Sequence, residues 1–71
     1  MMAYDYSKLL GRIVEKYGTR KAFAEAMGMA ERTLSRKLGN KAHFPQDEIS
    51  RACELLSIEA QDMTEYFFCR R

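Results

Sequence analysis

Proline occurs once in these 71 residues, glycine four times, histidine once and cysteine twice. Each scarcity excludes something. Four scattered glycines supply no glycine-rich loop to cradle a phosphate. With His43 the one histidine, no paired carboxylates in an apolar setting and no nucleophile beside a base, the chain is expected not to be an enzyme. Cys53 and Cys69 are too few for a disulfide framework and lack metal-ligand spacing with His43, so both read as reduced thiols. No metal, cofactor or small-molecule ligand is expected. No run of about 18 apolar residues exists, and residues 1–6 lack the basic-then-apolar order of a secretory signal. The expectation is a cytoplasmic protein that does not engage the membrane. Alternation of apolar and polar residues never persists beyond a few positions, which argues against strands.

What is present describes one small folded domain spanning 1–71. Apolar residues make up 46% and charged residues 31%, the balance of a globular chain rather than a disordered one. A chain this short buries only about 60% of its unfolded surface and has room for a single core. The net charge of +2 conceals an asymmetry. Residues 1–42 carry five Lys and four Arg against four acids, whereas residues 43–71 carry three Arg against six. A basic lobe of this kind is the electrostatic footprint of a polyanion partner.

Periodicity and punctuation divide the chain into five short helices. From Asp5 or Ser7, both suited to capping, to Tyr17, the residues Leu9, Leu10, Ile13, Val14 and Tyr17 fall on one face. Gly18 ends that helix. Thr19 caps a second, with Phe23, Ala24 and Met27 inward and Gly28 closing it. The third spans about Glu31 to Leu38, buries Leu34 and Leu38, and stops at Gly39-Asn40. Pro45 suits the first turn of a fourth, whose apolar positions are Ile49, Ala52, Cys53, Leu55 and Leu56, with Asp47 and Glu48 favourably placed at its positive end. A last helix runs from about Glu59 to Tyr66. Cys53 lies on the apolar stripe and reads as a core thiol.

The segment 19–41 carries the functional signal. Two helices joined by a tight turn cross closely only where small residues occupy the crossing, and Ala24 and Gly28 meet that need. Opposite Leu34, the third helix presents Glu31, Arg32, Thr33, Ser35, Arg36 and Lys37, groups that read base edges and phosphates.

In Ala24, Gly28, Leu34, the Met27–Met29 run, the Gly39-Asn40-Lys41 turn and Phe44 with Glu48-Ile49, the chain resembles the phage-repressor and Cro-type helix-turn-helix family, over nearly its whole length. It departs from that pattern at Arg20, where many members have glutamine, at Ala30, where many have Ser or Thr, and at Lys37, where many are apolar. The resemblance implies an all-α, compact five-helix bundle of lambda-repressor type. It implies a sequence-specific regulator of a phage or prophage that binds a palindromic double-stranded DNA operator as a homodimer. On that reading Glu31, Arg32, Ser35 and Arg36 contact bases, while Thr19, Arg20, Lys21, Lys37, Asn40 and Lys41 contact phosphates. An ion pair between Arg20 and Glu31 would orient the carboxylate toward a base. The surplus apolar surface of Met63, Tyr66, Phe67 and Phe68 is the expected dimer interface. The alternative is a protein-interaction module of the same fold, an anti-repressor or antitoxin-like protein, kept open by the acidic C-terminal half.

Overall fold

The computed structural model describes residues 3–70. Five α-helices follow one another: α1 (Ser7–Tyr17), α2 (Arg20–Met27), α3 (Glu31–Leu38), α4 (Gln46–Leu56) and α5 (Met63–Phe67), the last preceded by a 3₁₀ turn at Ala60–Asp62. The expected all-α bundle is what forms, and no extended strand occurs among the described residues.

Local chemistry explains most boundaries. Before α1, the Asp5 carboxylate accepts from the Ser7 amide at 2.9 Å and from its hydroxyl at 2.6 Å, so Asp5 holds the first turn although Tyr6 occupies the cap position. Thr19 caps α2, its hydroxyl accepting from the Ala22 amide at 3.1 Å. Gly28 closes α2 at φ 78°, a left-handed conformation that a Cβ disfavours, and turns the chain into α3. Pro45 sits at the cap of α4 rather than inside its first turn, with ψ 153° keeping it extended. Ser57 adopts the left-handed region at φ 55° and ends α4, and Arg12 reaches across from α1 to donate to the carbonyls of Leu56 and Ser57. Those hydrogen bonds satisfy carbonyls that the helix itself leaves unpaired.

Helix α1 packs against α2, α4 and α5, and α2 packs against α3 and α4. Phe23, Phe67, Leu9, Ile13, Leu34 and Leu56 are the largest fully buried side chains, each contributing about 1.5–3 kcal/mol by leaving water. Cys53 is buried, as expected, and burial pushes its thiol above the ordinary value, leaving it protonated and inert. Val14 departs from the expected apolar face of α1: it is 56% exposed, because the buried stripe runs through Leu9 and Ile13. Three core residues, Tyr6, Phe44 and Ile58, lie outside the helices altogether, with Tyr6 and Ile58 buried and Phe44 half-buried.

The two chain ends meet. Tyr4 pairs antiparallel with Arg70 in an isolated bridge, and the Asp5 amide donates to the Cys69 carbonyl at 2.6 Å. This clasp lays the N-terminal segment beside α5 and brings both ends next to the last turn of α3.

Candidate interaction face on helix α3

Helix α3 is anchored by Leu34 and Leu38, so the opposite face is left to solvent. Glu31, Arg32, Thr33 and Arg36 are exposed there and Ser35 is half-buried, around a shallow open depression at the start of the helix. The structure therefore brings together all four of Glu31, Arg32, Ser35 and Arg36, the residues expected to read bases. The missing cap is also real: Ala30 is extended and makes no side-chain hydrogen bond, leaving the first amides of α3 without a side-chain acceptor.

The residues expected to hold phosphates separate into two groups. Thr19, Arg20, Lys21 and Lys41 are exposed around the start of α2 and the end of α3. Lys37 and Asn40 are already engaged. The Lys37 side chain is buried, its ammonium hydrogen-bonded to the Glu48 carboxylate and 5.7 Å above the Phe44 ring. Its aliphatic stem is buried with the core side of α3, and its charge is neutralised from α4. The Asn40 side chain accepts from the Tyr4 amide at 2.9 Å and donates to the Tyr4 carbonyl at 2.9 Å, while its backbone takes φ 63°. Neither group is free to contact a phosphate. Arg20 and Glu31 form no ion pair; both are exposed, where water competes for each charge and little is gained by pairing.

Of the four residues expected to form a dimer surface, one is spent on the core. Phe67 is 1% exposed in the core, and Met63 and Tyr66 are half-buried against it, with the Lys8 ammonium 4.9 Å above the Tyr66 ring. Only Phe68 of the four stands exposed, at 43%. A domain this small spends its C-terminal aromatic residues on closing its own core.

Sequence reasoning missed the network around Asn40. Its signal was the Gly39-Asn40 pair, since asparagine is the side chain that best tolerates a positive φ and can pair with backbone on both sides. Among the described residues no helix is long and apolar enough to cross a membrane.

Fold and sequence make the chain a small all-α bundle with a mixed-charge exposed face on α3. The chain belongs to the family described as protein of unknown function (DUF739), whose model matches residues 2–70. It is similar to a solved structure, the modulator of repression (MOR) of the temperate bacteriophage TP901-1 from Lactococcus lactis, at 52% identity and a TM-score of 0.82. That match covers 92% of this chain and 88% of the other. No curated protein sequence matches the chain. The family is thus DUF739, where the motif residues had implied the phage-repressor and Cro-type helix-turn-helix family.

Proposed function

We propose that this chain modulates repression in a phage-type genetic switch by binding a repressor protein, rather than by reading an operator itself. The observation that carries the reading is the 52% identity, over 92% of the chain, with a protein named for modulating repression. Two features of α3 support it. The basic stripe of the helix is interrupted where Lys37 is paired with Glu48, and Glu31 sets a carboxylate at its leading end. Mixed charge on an exposed helical face suits a protein surface with complementary charges better than a uniformly anionic backbone. Glu31, Arg32 and Arg36 would then be contacts to the repressor. No catalytic step, metal or cofactor enters this reading.

Direct operator binding is the second reading, favoured by the exposure of Arg32 and Arg36 on one face. Arginine pairs bidentately with guanine in the major groove and glutamate accepts from cytosine. Arg20, Lys21 and Lys41 would hold phosphates, and a homodimer would span two half-sites about 34 Å apart.

One experiment separates the two. The repressor of the phage or prophage that carries this chain is titrated onto its labelled operator, with and without the chain, and light scattering follows complex formation. The expected result is a change of about tenfold or more in the repressor's apparent operator affinity, at concentrations where the chain alone leaves the duplex free. Sequence-selective, steeply salt-dependent retention of the duplex by the chain alone, with no repressor complex, would overturn it.

A further inference from the structure

Five aromatic rings form one continuous run across the chain ends. Phe68 meets Tyr4 edge to face at 5.8 Å, Tyr4 leans on Tyr6 at 6.2 Å, Tyr6 meets Phe44 at 5.6 Å, and Phe44 meets Phe67 at 5.5 Å. Tyr6 and Phe67 are buried and serve the core, whereas Tyr4 and Phe44 are half-buried and Phe68 is exposed. Beside this run opens a cleft of about 460 Å³, with Lys41 and His43 among its lining residues and no Asp or Glu. Both are exposed, and neither forms an ion pair among the described residues. The wall is fixed in advance: the Asn40 amide grips the backbone of Tyr4 from both sides, and the Asp5 amide is bonded to the Cys69 carbonyl. Burial, and then the neighbouring Tyr4 phenol, push the Tyr6 phenol above its ordinary range, which keeps it a neutral hydroxyl donor.

An aromatic floor with unpaired basic groups at its rim complements an apolar side chain flanked by carboxylates. A duplex backbone would use the Lys41 charge but leave the rings without a partner. We infer that this cleft docks an acidic protein segment bearing an aromatic or aliphatic anchor, the anchor seated on Tyr4, Phe44 and Phe68 and its flanking carboxylates against Lys41 and His43. Because the cleft is preformed, little ordering opposes binding. The inference rests on the reading that the chain works through a protein partner, and assigns a second surface, distinct from the α3 face, to that partnership.

The test is an amide-shift titration of the isotope-labelled full chain with an end-blocked probe peptide, Glu-Asp-Leu-Phe-Asp-Glu. Saturable shifts confined to Tyr4, residues 41–44 and Phe68 are expected, with a dissociation constant of about 1 mM or tighter. Lys41→Glu and Phe68→Ala should each weaken binding about tenfold while leaving the amide spectrum elsewhere unchanged, which shows that both variants fold. Four outcomes would overturn the inference: no saturation at roughly ten times that concentration; equal binding of the charge-reversed peptide Lys-Lys-Leu-Phe-Lys-Lys; the same shifts on adding a DNA duplex; or the same shifts on raising the chain's own concentration, which would make the occupant a second copy. A repressor that binds the wild type and both variants equally would refute the cleft as its dock and leave the proposed function standing. Peptide binding without any repressor complex would do the reverse.

Discussion

At the leading end of α3, Glu31, Arg32 and Thr33 stand in solvent behind an Ala30 that offers no side-chain cap, whereas at its trailing end Lys37 is buried against Glu48 and Asn40 grips the backbone of Tyr4. The residue types are alike, polar or charged on one short helix and the turn after it. Their fates differ because partners distant in sequence reach only the trailing end, Glu48 from α4 and Tyr4 from the N-terminal segment. The leading end is left to solvent; the trailing end holds the domain together.

The sharpest way to break this contrast is at Glu48. Glu48→Ala leaves the Lys37 ammonium buried without its counter-charge and should cost about 3 kcal/mol, read from the midpoint of urea unfolding. Replacing both, as Lys37→Met with Glu48→Leu, should recover stability to within about 1 kcal/mol of the wild type, since the pair serves geometry more than net energy.

Asn40→Ala comes next. It removes two hydrogen bonds to Tyr4 and places a Cβ without a polar partner at positive φ, for an expected loss of about 2 kcal/mol in thermal unfolding. Amide exchange at Tyr4 should rise in parallel. At the leading end the sign reverses: Ala30→Ser supplies the absent cap and should stabilise by about 1 kcal/mol in the same assay. If that gain fails to appear, the first turn of α3 is already satisfied by another acceptor.

The smallest expected effect sharpens the comparison most. Arg32→Ala and Arg36→Ala should each leave stability within about 0.5 kcal/mol of the wild type, yet weaken the repressor complex. A large loss of stability on either change would show that the exposed face of α3 is structural as well.

The helices were legible because their signals are local. Thr19 as a cap, Gly28 as a left-handed stop and the Leu34–Leu38 pair placed α2 and α3 correctly, and the all-α bundle followed from them. The core was read less fully, since Tyr6, Phe44 and Ile58 lie in connecting segments that helical periodicity does not describe. The last helix was drawn as one piece where the chain makes a 3₁₀ turn and then α5. On the surface, the exposed face of Glu31, Arg32 and Arg36 was readable from its spacing opposite Leu34. The engagement of Lys37 and Asn40 was not, because their partners stand 11 and 36 residues away and no local pattern announces them. Phe67 was misplaced for a related reason: an aromatic end looks surplus until α1 and Phe44 pack against it.

The clasp between Tyr4 and Arg70 also bears on the order of events in folding. Helices α1, α2 and α3 meet their neighbours across short turns, contacts that cost little chain entropy and form early. The clasp instead closes a loop of nearly the whole chain, which becomes affordable only once the helices have brought the two ends together. A clasp that forms after the transition state predicts that weakening it speeds unfolding while leaving the refolding rate nearly unchanged. On this account the seam that lines the aromatic cleft is the last part of the molecule to form.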